Sequence, residues 1–192
     1  GDHLDLHCFP TRRSSDLVLF NPASIAHSLK RIESEAPFTA EELIKAGDIY
    51  KSFMHGSEFA STSEKEFLDK NNKLLTEASL HFKESSWIVV TLGTSWIFRE
   101  KKSGKVVSNC HKLPSEMFVR EAMKAEEIEE VLSEIIERHP NKKWVFTVSP
   151  IRHLKDGANG NQLSKARLLL AANALVERYS NAFYFPAYEI FM

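Results

Sequence analysis

Apolar positions in this chain recur with two different periods, and the changes between them mark the elements. Asn21-Pro22 suits a helix start, an Asn able to cap and a Pro at the first helical position, and Ile25, Leu29 and Ile32 follow at helical spacing. Thr39 with Glu42, and Ser63 with Glu66, match the capping-box pattern. The second box opens a long helix with Phe67, Leu74, Leu75, Ala78 and Phe82 on one stripe. Trp87–Leu92 is then a short continuous apolar run, β-branched at its centre, as expected of a strand buried on both faces. Residues 95–99 and 105–108, joined through Ser103-Gly104, read as a hairpin-like excursion. Ile128, Val131, Leu132, Ile135 and Ile136 fall at i, i+3, i+4, i+7 and i+8, an amphipathic helix ended by His139-Pro140-Asn141. Residues 144–148 form a second buried-strand run, 157–161 a loop, 162–179 a further helix and 183–185 a third strand.

Strand, helix, strand, helix, strand is the pattern of a parallel sheet joined by right-handed crossovers. The fold expected is therefore α/β, a three-layer sandwich around a parallel sheet. In such sheets ligands bind beyond the carboxyl ends of the strands. That rule selects Gly93-Thr94-Ser95-Trp96 after the first strand and Ser149-Pro150-Ile151-Arg152-His153 after the second. Asn109-Cys110-His111-Lys112, after the excursion, is a third polar cluster that a simple strand order would bring to the same edge.

Composition narrows the function classes. The chain has 192 residues with 25 Lys+Arg against 26 Asp+Glu, and 43% of it is hydrophobic. That profile fits one globular domain and excludes dominant disorder. The absence of a basic surplus argues against a nucleic-acid partner. The longest strongly apolar stretch, residues 168–172, falls far short of the roughly 20 residues of a membrane span, so no membrane partner is expected. The 2 cysteines make no disulfide framework, and the histidines show no ligand spacing, so neither a metal nor another cofactor is expected.

Each candidate residue has a plain reading beside the functional one. Gly93 either lets the chain turn sharply or offers its N–H as an oxyanion donor. Ser149 either ends a strand or lines a pocket. Arg152 and His153 are well placed to meet an anionic or polar ligand, although an Arg at such a position can simply pair with a surface acid. Ser149, His153 and Asp156 make a triad only if a chain of hydrogen bonds joins them, which closeness in sequence does not supply. Cys110 beside His111 invites a thiol-nucleophile reading, but neighbours on an extended segment point to opposite sides. Gly157-Ala158-Asn159-Gly160 imitates a GXXG loop and reads as a turn.

The first seventeen residues, GDHLDLHCFPTRRSSDL, lack periodicity, an initiator Met and the apolar core of a signal peptide. They resemble the translation of a sequencing adaptor, most clearly at residues 9–17, and are set apart from fold reasoning as a non-native segment. Residues 18–192 are then the informative part, and the apolar ending at Met192 suggests a cut there as well. No secretory signal is present, so a cytoplasmic location is expected.

Several strings carry a family resemblance: Phe20-Asn21-Pro22-Ala23-Ser24-Ile25-Ala26, Thr91-Leu92-Gly93-Thr94-Ser95-Trp96, Asn109-Cys110-His111-Lys112-Leu113-Pro114 and Thr147-Val148-Ser149-Pro150-Ile151-Arg152-His153. Asn161-Gln162-Leu163-Ser164-Lys165-Ala166 and Tyr184-Phe185-Pro186-Ala187-Tyr188-Glu189-Ile190 add to them. Together they resemble the GSCFA domain family across residues 18–192. The resemblance implies an SGNH-hydrolase-like, flavodoxin-like fold and an esterase or acyltransferase that uses a Ser nucleophile without metal. The substrate implied is a small-molecule or carbohydrate acyl ester. The family's Gly-Ser-Cys-Phe-Ala motif would precede Val18, and its Asp and His would follow Met192. The expectation is therefore a partial domain, lacking its first strand and C-terminal part, and inactive by itself. What remains of the site would be Gly93 and His153 as catalytic groups, with Asn109, His111, Ser149 and Arg152 holding substrate. The rival expectation is a non-catalytic α/β module that binds an anionic ligand at the Arg152–His153 edge.

Overall fold

The structure, a computed structural model, describes residues 19–152 and 156–191. In chain order its elements are α1 (Pro22–Ser34), the strands β1 (Leu43–Ala46) and β2 (Ile49–Ser52), α2 (Glu64–Glu84), β3 (Trp87–Leu92), β4 (Trp96–Glu100), β5 (Val106–Val107), β6 (Phe118–Ala122), α3 (Ala125–Arg138), β7 (Lys143–Val148), α4 (Gly157–Arg178), β8 (Ala182–Phe185) and α5 (Ala187–Ile190). This is a mixed α/β sandwich containing a parallel sheet, as the element order requires.

The parallel sheet has the order β3-β7-β8. Trp87 lies opposite Lys143 and Leu92 opposite Val148, while Trp144 lies opposite Ala182 and Thr147 opposite Phe185. Each crossover steps the same way across the sheet, so right-handed connections deliver α3 and α4 to one face. Ile88, Val90, Leu92, Trp144, Phe146 and Val148 point to that face and pack with Ile128, Leu132, Ile135 and Ile136 of α3 and Leu168, Ala171, Ala172 and Leu175 of α4. Ala26 of α1 and Phe82 of α2 join the same core.

The expectation that Trp87–Leu92 is buried on both faces is corrected here. Burial alternates strictly along β3, with Ile88, Val90 and Leu92 inside and Trp87, Val89 and Thr91 exposed. Phe183 and Phe185 of β8 continue the exposed face, and the Trp87 and Phe183 rings lie 5.7 Å apart across it. An apolar run alone carries no period, so it cannot distinguish one buried face from two.

Helix ends follow their sequence signals. Asn21 Oδ1 accepts the Ser24 N–H at 2.8 Å with Pro22 next to the cap, and Ser63 Oγ accepts from the Glu66 N–H at 3.3 Å. Thr39 opens only a single 3₁₀ turn, residues 40–42, before the chain turns extended at Leu43. The β1–β2 hairpin that follows was not expected from the sequence. Gly47, at a φ of +62°, sits in its two-residue turn with Asp48, and Ala46 pairs with Ile49 across it. On α2 the buried face runs through Phe67, Asn71, Leu75, Ser79 and Phe82, and Leu74 is exposed instead. Residues 157–161, read as a loop, are the first turn of α4. The excursion after β3 is a hairpin as expected, with Gly104 in its turn, and β6 adds a third strand to give the order β5-β4-β6. Among the described residues no helix is long and apolar enough to cross a membrane.

Candidate functional site

The carboxyl edge of the parallel sheet is organised around one lysine. Lys165 lies on the buried side of α4, only 1% exposed, and its Nζ donates to the carbonyls of Gly93 and Ser149, each at 2.6 Å. Those carbonyls belong to the first residues beyond β3 and β7, so the side chain ties the two strand ends together. Burial pushes the Lys165 amine down to about 8. The neighbouring Ser164 Oγ accepts from the Ser95 N–H at 2.8 Å and from the Ser95 hydroxyl at 3.1 Å, and shares a hydrogen bond with Thr94 Oγ1 at 3.1 Å.

Gly93 sits at the strand end the sequence selected, but its N–H is engaged. It donates to the Phe20 carbonyl at 2.8 Å, and the Thr94 N–H reaches the same oxygen at 3.1 Å. The expectation that Gly93 presents a free oxyanion donor is corrected in that respect: two successive N–H groups do converge on one oxygen, and the chain itself supplies that oxygen. The glycine suits the close approach, because a Cβ at residue 93 would lie a tight 3.1 Å from both the Cβ and the carbonyl oxygen of Phe20.

Ser149 is at the same edge. Its N–H donates to the Leu92 carbonyl at 2.9 Å, and its Oγ accepts from the Ile151 N–H at 3.2 Å, a local turn. Arg152 follows, exposed. His153 lies outside the described residues. Asp156, the third member of the conceivable triad, pairs with Arg120 of β6, whose guanidinium stacks on the Trp96 ring at 3.9 Å from its centroid.

Asn109 and His111 belong to a different neighbourhood. The Asn109 N–H donates to the Phe53 carbonyl at 3.1 Å, and its Oδ1 accepts from the His111 N–H at 2.8 Å. His111 is buried, donating Nε2–H to the Ser52 carbonyl at 2.7 Å, and burial pushes its imidazole below the usual range. His111 and Lys112 both have positive φ, 51° and 59°, so this turn is strained for ordinary residues. The segment is thus bonded to the end of the β1–β2 hairpin, while Gly93 and Ser149 are joined through Lys165. Nearby His55 packs its ring between those of Phe38 and Phe59, at 4.5 and 4.8 Å, and burial pushes its imidazole down to about 4. Among the described residues no group of three or more His, Cys, Asp or Glu side chains is placed to hold a metal ion.

Lys165 and Ser164 are residues of this edge that the sequence reading does not single out as candidates, whereas Thr94 lies in the segment it selects after the first strand. A signal existed. Asn161, Ser164, Lys165, Leu168, Ala171, Ala172 and Leu175 are the buried positions of α4, and they share one helical stripe. Its first turns are polar where its later turns are apolar. A lysine on the inward stripe of a helix that packs against a sheet must find acceptors inside, and here those are strand-end carbonyls.

A model of the GSCFA family matches residues 1–192, the whole chain. Neither a curated protein nor a solved structure matches it.

Proposed function

The chain belongs to the GSCFA family, and from that membership and the carboxyl-edge geometry we propose that it has the scaffold of an SGNH-hydrolase-like esterase or acyltransferase for acyl esters, with an acylated carbohydrate as the substrate class. The observation that carries this reading is the pair of N–H groups, of Gly93 and Thr94, converging on a single oxygen at the carboxyl end of β3. Two donors aimed at one oxygen are what an acyl-transfer site needs where negative charge develops on the ester carbonyl.

The serines of this edge are not poised as nucleophiles. Ser95 and Ser164 bond each other, and Ser149 Oγ accepts from the main chain. A serine becomes a nucleophile when a general base takes its proton, and the base must itself be held by a third group. With the Phe20 carbonyl in the two-donor cradle and no such relay among the described residues, we propose that the chain as given does not turn over acyl esters. Acetate release from acetylated mono- and oligosaccharides, and saturable binding of the same sugars followed by NMR, test both statements. The expected result is binding without turnover. Turnover that disappears in His153→Ala overturns the inactivity. No binding of any acetylated sugar overturns the acyl-ester reading.

A further inference from the structure

The two N–H groups that share the Phe20 oxygen belong to consecutive peptide units, and each unit is anchored from behind. The unit between Gly93 and Thr94 is planar, so its carbonyl and its N–H point in opposite directions. Lys165 Nζ holds the carbonyl at 2.6 Å, and the N–H reaches Phe20 at 3.1 Å on the other side. The unit between Leu92 and Gly93 is held the same way. Its carbonyl accepts the Ser149 N–H at 2.9 Å, and its N–H reaches Phe20 at 2.8 Å. Ser149 is in turn held by Lys165 through its own carbonyl, at 2.6 Å.

From this arrangement we propose that Lys165 is a positioning residue: through the carbonyls of Gly93 and Ser149 it fixes the direction of the two N–H groups that converge on one oxygen at the carboxyl end of β3. As a role in acyl chemistry the inference rests on the esterase reading, but as a statement about the cradle it does not. The oxygen held is the Phe20 carbonyl, so the cradle can be tested on this chain without any ester.

The chemistry favours a lysine here over an apolar residue. Its side chain loses hydration on burial, which core packing alone does not require. Its donors reach two acceptors, one just beyond each of two neighbouring strands. A neutral amine still has two N–H donors and an ammonium three, so the double contact survives either protonation state, with stronger hydrogen bonds from the cation.

The experiment is amide hydrogen exchange, residue by residue, in the full chain and two variants. Lys165→Met keeps the length of the side chain and removes its donors. Leu168→Ala, on the same buried stripe, weakens the core and leaves the lysine. The expected result is exchange at Gly93 and Thr94 faster by about tenfold or more in Lys165→Met, the loss of a buried anchoring hydrogen bond, with Ile97 and Phe98 of the antiparallel sheet unchanged. Leu168→Ala should accelerate exchange across the parallel sheet without singling out residues 93 and 94. Equal acceleration of both sheets in Lys165→Met, or none at Gly93 and Thr94, overturns the proposal. If Lys165→Met does not fold, the unmodified chain still decides the matter. The Gly93 and Thr94 amide signals should shift along the same pH curve as the Lys165 Cε signal. The other charged groups of the adjoining segments, Arg120, Arg152 and Asp156, are told apart by their own side-chain signals. Amide signals that stay fixed while the lysine titrates overturn the proposal. Acetate release plays no part in either measurement, so a failure here and a failure of the esterase reading remain distinct.

Discussion

Lys165 and His55 show at the residue scale how burial turns a titratable group into a dependence of stability on pH. The folded chain holds the Lys165 proton less tightly than the unfolded chain does, its amine lying at about 8 instead of 10.5. Between those values the unfolded state binds more protons, so the lysine's contribution to stability rises with pH, by at most ~1.4 kcal/mol per pH unit. Measured by urea unfolding, the unmodified chain should therefore gain on Lys165→Met as pH goes from about 7.5 to 10. A flat difference would show that the amine is not desolvated. His55 works at the acid end. Its imidazole lies at about 4 against an ordinary 6.5, so the unfolded chain takes up the proton first and stability falls as pH drops through that window. Replacing it by Phe, which suits a ring packed between Phe38 and Phe59, should flatten the loss. Some slope should remain, because burial depresses His111 as well. An unchanged acid limb of the stability curve would contradict the assignment.

At the scale of elements, the entry to α1 is held by two features that can be removed singly. Asn21→Ala deletes the acceptor of the Ser24 N–H and should cost about 1 kcal/mol. Gly93→Ala forces a methyl group to within 3.1 Å of Phe20 and should cost about 1–3 kcal/mol, as overpacking does. Its amide exchange should also show the Phe20 contact loosening, whereas Asn21→Ala should leave the Gly93 amide protected. Thermal unfolding gives both magnitudes. The same scale shows where sequence patterns are legible. The α3 stripe was readable because Ile128, Leu132, Ile135 and Ile136 repeat at a period only a helix has, and all four are buried. The β1–β2 hairpin is not legible in the sequence although Gly47-Asp48 lies between its two strands, because strands of four residues contain too few positions to establish a period. The first turn of α4 reads as a loop because its Gly-Ala-Asn-Gly sequence has turn chemistry. The register of Asn161, Ser164 and Lys165 on the buried stripe was the better guide.

For the whole molecule, the consequence of the topology is a parallel sheet with helices delivered to one face and large apolar groups exposed on the other. Trp87, Val89, Phe183 and Phe185 are each 40–53% exposed, a contiguous aromatic face of the kind that soluble monomers seldom present. This chain in isolation should therefore self-associate at tens of micromolar, about the range where exposed apolar surface drives aggregation. Val89→Lys combined with Phe185→Lys should shift it toward a monomer in light scattering. A monodisperse, monomeric unmodified chain at the same concentration would count against this prediction.

Sequence alone determined the bodies of the four long helices, the caps at Asn21 and Ser63, the α/β class and the parallel sheet, because period, cap chemistry and element order are local or sequential properties. It also determined that Gly93 and Ser149 lie at the carboxyl edge of the parallel sheet, since the carboxyl ends of strands follow from strand direction. The tertiary structure decided what no spacing encodes. Asn109 and His111 are bonded to the end of β2, because the turn at positive φ folds them onto Ser52 and Phe53. The Gly93 N–H is taken by Phe20, a contact between residues far apart in the chain. Lys165 became the link between two strand ends only when helix and sheet packed, since a buried amine takes its meaning from acceptors that the fold, and not the neighbouring sequence, brings within reach.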